Sequence, residues 1–472
     1  MSKCPAMYCC GEPMVPTRYS REKTTGLLAA ATAFSGMAIG LMNLAGPLAV
    51  GALALFAAGV ALVLFSKALY RALVALATLL LACVFVEPSP SDILFAAAMP
   101  LGLLCGAVSL KAAKPVLPVL SLLLLYFMLS IPGIAVAPDA GGALRYYIIT
   151  CYLFLLAVFL CLYAQPHTVG ALQRAYLAAA FLSLAAGAAG LLGVFPELFM
   201  ADAYRVKGLF KDPNVYGPFF VPAVILLLED LRSGAVWKGP KALDIIGIVL
   251  LSAGIVVSYS RAAWINLAVS IGIFMMLNAR RVSPSKLAAA GIAVAAVLAI
   301  LVPFFALTDI QNNETVSFLL DRAQIQDYDS NRFSTQSAGL RLASLHPAFG
   351  VGPGQFENRI AGITGMRLSS HNLYIRVAAE SGVAAFLFFF LAVGFVLAEL
   401  LLDHRRQAIG PLPAIGSSGT SPAVFLAILG GILVNSLVVD TLHWRHLWFF
   451  IGLSLYRLAE GQSKETGHAE EK

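Results

Sequence analysis

Apolar runs long enough to cross roughly 30 Å of hydrocarbon recur along almost the whole of this 472-residue chain, and no other feature restricts its fold as tightly. Inside a bilayer every backbone N–H and C=O needs a protein partner, which leaves helices and closed barrels as the spanning structures. The runs are continuous rather than alternating, so helices are expected. A soluble chain of this length would divide into two or three domains. A mean hydropathy of +0.83 and a charged fraction of 12% overrule that reading. The expected fold is all-α: a polytopic integral membrane protein with about 12–14 transmembrane helices and one long, partly helical extracytoplasmic loop.

The apolar spans are read near 25–45, 47–66, 70–86, 92–110, 115–136, 144–164, 169–195, 214–230, 243–260, 261–278, 286–306, 373–402, 421–440 and 446–458. Lys and Arg set their orientation. With the N-terminus inside, RYSREK (18–23), SKALYR (66–71), KAAK (111–114), RSGAVWKGPK (232–241), ARRVSPSK (279–286) and DHRR (403–406) fall on one side, expected to be the cytoplasm. The same parity puts both termini inside. The first 24 residues are polar and the first apolar run shows no small-residue cleavage site, so no cleavable signal peptide is expected.

This reading divides the chain into six parts. A cytoplasmic tail (1–24) and an N-terminal transmembrane bundle (25–195) precede a transmembrane core with arginine-bearing outer loops (196–306). A long periplasmic loop (307–372), C-terminal transmembrane helices (373–458) and a cytoplasmic tail (459–472) follow. The formal charge of +7 mostly sets topology here, so no nucleic-acid partner is expected. The cysteines Cys4, Cys9 and Cys10 lie in the N-terminal tail without framework spacing, and neither metal nor cofactor is expected.

The informative cations are those that break the positive-inside pattern. Arg145, Arg205, Lys207, Lys211, Arg261, Arg322, Arg332, Arg341, Arg359, Arg367, Arg376 and Arg445 fall on the outer side, and only two of them are lysine. A site for phosphate favours arginine, whose guanidinium fork matches phosphate oxygens and never loses its charge.

Four stretches concentrate these residues. In RVKGLFKDPNVYGPF (205–219), Asp212 and Pro213 read as a helix cap and first turn, which leaves Arg205, Lys207 and Lys211 at the outer boundary. SYSRAAW (258–264) puts Arg261 in a hairpin between two spans. There it either serves a polar site or snorkels, with Trp264 in the aromatic belt. In NRFSTQSAGLRLASLHPAFGVGPGQF (331–356), Arg332 and Arg341 lie on different helical stripes, and GVGPG is a turn rather than a phosphate loop. In SSHNLYIRVAAESG (369–382), Asn372, Arg376 and Glu380 share one helix face and the last two can neutralise one another. His371, at the helix start, is either structural or a proton acceptor.

In this order and topology the four stretches resemble the O-antigen ligase/polymerase superfamily of bacterial envelope glycan enzymes, over about residues 205–400. The resemblance implies transfer of a glycan from an undecaprenyl-pyrophosphate carrier to an acceptor glycan or lipid at the outer leaflet of the inner membrane, without nucleotide or metal. It implies that Arg205, Arg261 and Arg332 hold pyrophosphate, with Lys207 and Arg341 beside them. His371 becomes the base, and Asn372, Asn214 and Tyr374 support it. Ligases tend to show His-Asn, nine residues, Gly, and then Gly, Thr or Tyr three further on. Gly382 fits and Ala385 departs, which favours polymerase over ligase. The competing reading is a transporter or flippase for an anionic lipid-linked or polysaccharide substrate. It would be expected to show inverted repeats and broken midplane helices, and no repeat is visible.

Overall fold

The structure, a computed structural model, describes residues 59–60, 66–237, 239–279, 327–409 and 420–470. The chain divides into two units, Met1–Leu69 and Tyr70–Lys472, and the packing that builds the site lies within the second. The expected runs 25–45 and 286–306, and nearly all of 47–66, lie outside the described residues, as does Arg322.

Among the described residues the protein is helical, with a single isolated bridge between Met200 and Val206. Eight longer helices follow in order, with the four-residue helix Pro196–Phe199 between the fifth and sixth: α1 (Lys67–Leu79), α2 (Pro90–Leu104), α3 (Leu117–Ala135), α4 (Ala140–Tyr163), α5 (Val169–Leu191), α6 (Pro213–Ser233), α7 (Lys241–Val257) and α8 (Arg261–Asn278). They coincide with the eight apolar runs between 70 and 278. Next come α9 (Asp327–Leu345) and α10 (Phe356–Thr364), then α11 (Leu373–Ile409), α12 (Pro422–Asn435) and α13 (Arg445–Glu470). Six described helices are long and apolar enough to cross a membrane: α3 with the turn before it, α4, α5, α6, α8 and α11.

Burial sorts these helices. In α6, 83% of the apolar window is buried, against 28% in α11 and 33% in α3. Helix α6 is therefore central, while α3, α4 and α11 turn Leu124, Leu125, Ile148, Leu387 and Leu391 outward. Such helices have no polar face to offer water, as expected for surfaces that meet lipid.

Loops meet at two ends of the helices. At one end Val206 N donates to Val257 O (3.2 Å) and Leu373 N to Ser436 O (2.9 Å), while Asp139 N donates to Gln355 Oε1 (3.3 Å). At the other, Ser109 N donates to Leu162 O (2.8 Å) and Gln173 Nε2 to Thr420 Oγ1 (2.6 Å). The first end carries the described members of the outer-side cation set.

Helix α2 is fixed at that end by a capping box: Ser89 Oγ accepts from Asp92 N, and Asp92 accepts from Ser89 N. The same carboxylate takes both arms of Arg445, at 2.8 and 2.6 Å, and joins α2 to α13. Both side chains are only 14% exposed. Removing one partner strands a largely buried charge, so Asp92→Ala is expected to cost about 3 kcal/mol, read as a lower midpoint of thermal unfolding.

Helix α11 is continuous by composition but broken at Gly382, whose φ of 82° and ψ of 170° are not helical. The loop 347–352 satisfies the freed backbone. Val383 N donates to Pro347 O (2.8 Å), while Ala379 O and Glu380 O accept from Val351 N (2.9 Å) and Gly352 N (3.0 Å). A Cβ at Gly382 would stand 2.5 Å from Ala348 O. Gly382→Ala thus combines left-handed strain with a backbone clash, and a loss of about 1–3 kcal/mol is expected in the same unfolding measurement.

Candidate active site

Arg205 is presented by a tight turn. Asp202 Oδ1 accepts from Tyr204 N (3.0 Å) and Arg205 N (2.8 Å), and Ala201 N donates to Arg205 O (2.8 Å). The half-buried guanidinium reaches Ser258 O through Nε and Asn214 Oδ1 through Nη2, each at 3.4 Å. Contacts of that length hold weakly and serve to orient the fork. Asn214 stands in the first turn of α6, whose start Asp212 caps by accepting from Asn214 N (2.8 Å), with Pro213 next in line. The cap and the cation therefore coexist.

Ser258 belongs to the hairpin between α7 and α8. Tyr259 there has φ of 50°, held by Ser258 Oγ, which donates to Ile255 O (2.6 Å) and accepts from Ser260 N (3.2 Å). Arg261 follows as the half-buried first residue of α8. Arg205 thus reaches the same short turn that carries Arg261.

His371 has φ of 43°, rare for a non-glycine residue and costing on the order of 1–3 kcal/mol. Its neighbours hold it there. Ser370 Oγ donates to Asn372 O (3.2 Å), Asn372 Oδ1 accepts from Ile375 N (3.0 Å), and Asn372 Nδ2 donates to Leu437 O (2.9 Å). Burial, and next the charge of Arg332, push the imidazole below its ordinary pKa, with Arg376 adding to them. Asp212 and Asp440 pull the other way. These charges act on one half-buried ring and identify its surroundings: α9 through Arg332, the cap of α6 through Asp212, α11 itself, and the loop before α13. A neutral ring is the form that can accept a proton.

The remaining candidates are placed differently. Lys207 Nζ lies 3.5 Å from Glu197 O, beside the short helix after α5. Arg341 is exposed, whereas Arg332 on the same helix is half-buried. Tyr374 Oη donates to Leu433 O (2.9 Å) and its ring stacks on Phe390, so it ties α11 to α12. Asn372 caps α11. Several outer-side cations are held by internal partners: Lys211 by Glu87 (3.1 Å), Arg445 by Asp92, Arg367 by Asn358, and Arg376 by three carboxylates. Part of the arginine excess is therefore structural. Among the described residues no three His, Cys, Asp or Glu side chains form a group that could hold a metal ion.

Three helix N-termini, of α6, α8 and α11, carry Asn214, Arg261 and the His371 turn to one end of an apolar bundle. Their dipoles and the arginines favour an anion there. This is a polytopic helical protein with a cationic, histidine-bearing end. Residues 246–390 match the family model for O-antigen ligase (Wzy_C), less than half of the chain. The match spans most of α7, all of α8, α9 and α10, and α11 through Phe390; it includes Arg261, Arg332 and His371 and leaves out Arg205. It supports the O-antigen ligase/polymerase superfamily. Comparison with curated proteins gives no match.

Proposed function

We propose that the protein moves an oligo- or polysaccharide from an undecaprenyl-pyrophosphate carrier to an acceptor hydroxyl at the outer face of the inner membrane. Its cationic end then faces the periplasm, and its termini the cytoplasm. In the reaction His371 takes the proton of the acceptor hydroxyl, whose oxygen attacks the anomeric carbon. The bond from that carbon to the pyrophosphate oxygen breaks, and its electron pair stays with the leaving group. Arg205, Arg261 and Arg332, each half-buried, stabilise the charge that develops there. The outward apolar faces of α3, α4 and α11 offer a surface for the polyprenyl chain.

The observation that carries this reading is His371: a left-handed backbone turn whose imidazole burial and Arg332 hold below its ordinary pKa, inside the segment that matches the ligase family. The test is a deletion strain examined by glycan gel, with the full-length chain returned on a plasmid. A polymerase leaves a single repeat attached where ladders belong; a ligase leaves full-length chains on the carrier. Unchanged glycan length and amount would refute both.

A further inference from the structure

We propose that Arg376 is a positioning residue for His371, the hub of a buried ion cluster that fixes the turn carrying the imidazole. This rests on the reading of His371 as the base. The Arg376 side chain is 5% exposed and meets carboxylates from three elements. Nη1 donates to Glu380 Oε1 (3.0 Å), one helical turn on; Nε lies 2.7 Å from Asp440 Oδ2 in the loop before α13; Nη2 pairs with Glu357 in the first turn of α10. Glu380 is itself anchored, accepting from Gly354 N (2.9 Å) of the glycine turn and Phe356 N (3.1 Å) at the start of α10. The cluster therefore clamps α10, the glycine turn, α11 and the 436–444 loop to one guanidinium.

Two features connect this clamp to His371 rather than to stability alone. Nη2 of Arg376 also donates to Ser369 Oγ (3.3 Å), two residues before the imidazole. The loop that supplies Asp440 supplies the Ser436 and Leu437 carbonyls that receive Leu373 N and Asn372 Nδ2 on the other side. The left-handed turn at 371 is thus gripped before and after by groups that the clamp holds together. Burying one cation among carboxylates is poor value as a stability device. A planar fork that meets three carboxylates and the Ser369 hydroxyl at once is a means of setting geometry, and lysine cannot reproduce it.

The test uses the purified full-length protein and diethyl pyrocarbonate, which modifies only the neutral imidazole; modification of His371 is followed by peptide mass spectrometry against pH. The charged groups acting on this ring are Arg332, Asp212, Arg376 and Asp440. In the native protein the midpoint is expected below the ordinary imidazole value. Arg376→Gln moves it upward and Asp440→Asn moves it downward. Arg376→Lys, which keeps the charge, leaves the midpoint near native yet lowers glycan output in cells, because the fork is lost. General loosening would carry both charge variants toward the ordinary value. Midpoints that stay fixed, or move together, overturn the proposal. Opposite shifts with full glycan output from His371→Ala would instead overturn the base reading and leave the electrostatic coupling standing.

Discussion

Replacing His371 by alanine is expected to slow glycan transfer by about 10²–10⁴-fold with protein level unchanged, the range a positioned general base contributes. The expected pH dependence follows from its surroundings. The base works when neutral, so activity falls as pH drops through its pKa. Burial and Arg332 hold that pKa below the ordinary imidazole value, so the acid limb lies below 6.5. Steady-state transfer rates across pH, on membranes carrying native protein and the alanine variant, check both statements. An acid limb at or above 6.5 would contradict the electrostatics even if the variant were inactive.

The second large effect concerns the anion-facing arginines. Arg205→Ala and Arg332→Ala are each expected to reduce transfer by roughly 10²–10³-fold, the loss typical of removing one fixed donor from a developing charge. The loss should fall on turnover more than on binding, because that charge is largest in the transition state. Lysine should restore little at Arg205, where the fork spans Ser258 O and Asn214 Oδ1 in two directions. Arg145→Ala, an exposed cation of α4 at the same end, is expected to transfer at the native rate. Equal losses at all three positions would indicate a diffuse electrostatic effect rather than a site.

Much of this arrangement was legible in the chain. Apolar run length located the helices, because nothing but a helix satisfies a continuous apolar backbone in lipid. The Asp212–Pro213 cap, the GVGPG turn and the Arg376–Glu380 pair follow from local rules of capping, glycine freedom and helical spacing. What stayed hidden is what depends on long separations. Arg376 meets Glu357 across 19 residues, and Arg445 meets Asp92 across 353; no local pattern announces either. The break at Gly382 was hidden because the residues on both sides read as one helix, with Arg376 and Glu380 at helical spacing before it and an apolar run after it, and a distant loop satisfies the freed backbone. Left-handed φ at Tyr259 and His371 had no signal either, since such positions ordinarily favour glycine. The excess of outer-side arginine combined cations held by internal partners with those of the candidate site. Arg376 and Arg445 pair with carboxylates inside the protein, whereas Arg205 reaches Ser258 O and Asn214 Oδ1 and Arg332 acts on the His371 ring.

The most direct measurement follows the carrier itself. Purified full-length protein in vesicles would be given undecaprenyl-pyrophosphate-linked glycan and an acceptor glycan without any nucleotide, and released undecaprenyl pyrophosphate would be counted against glycosylated acceptor. One carrier released per glycan transferred by the native protein, with both products lost in His371→Ala, is the expected result. No transfer by the native protein, or equal transfer by the His371→Ala variant, would contradict it.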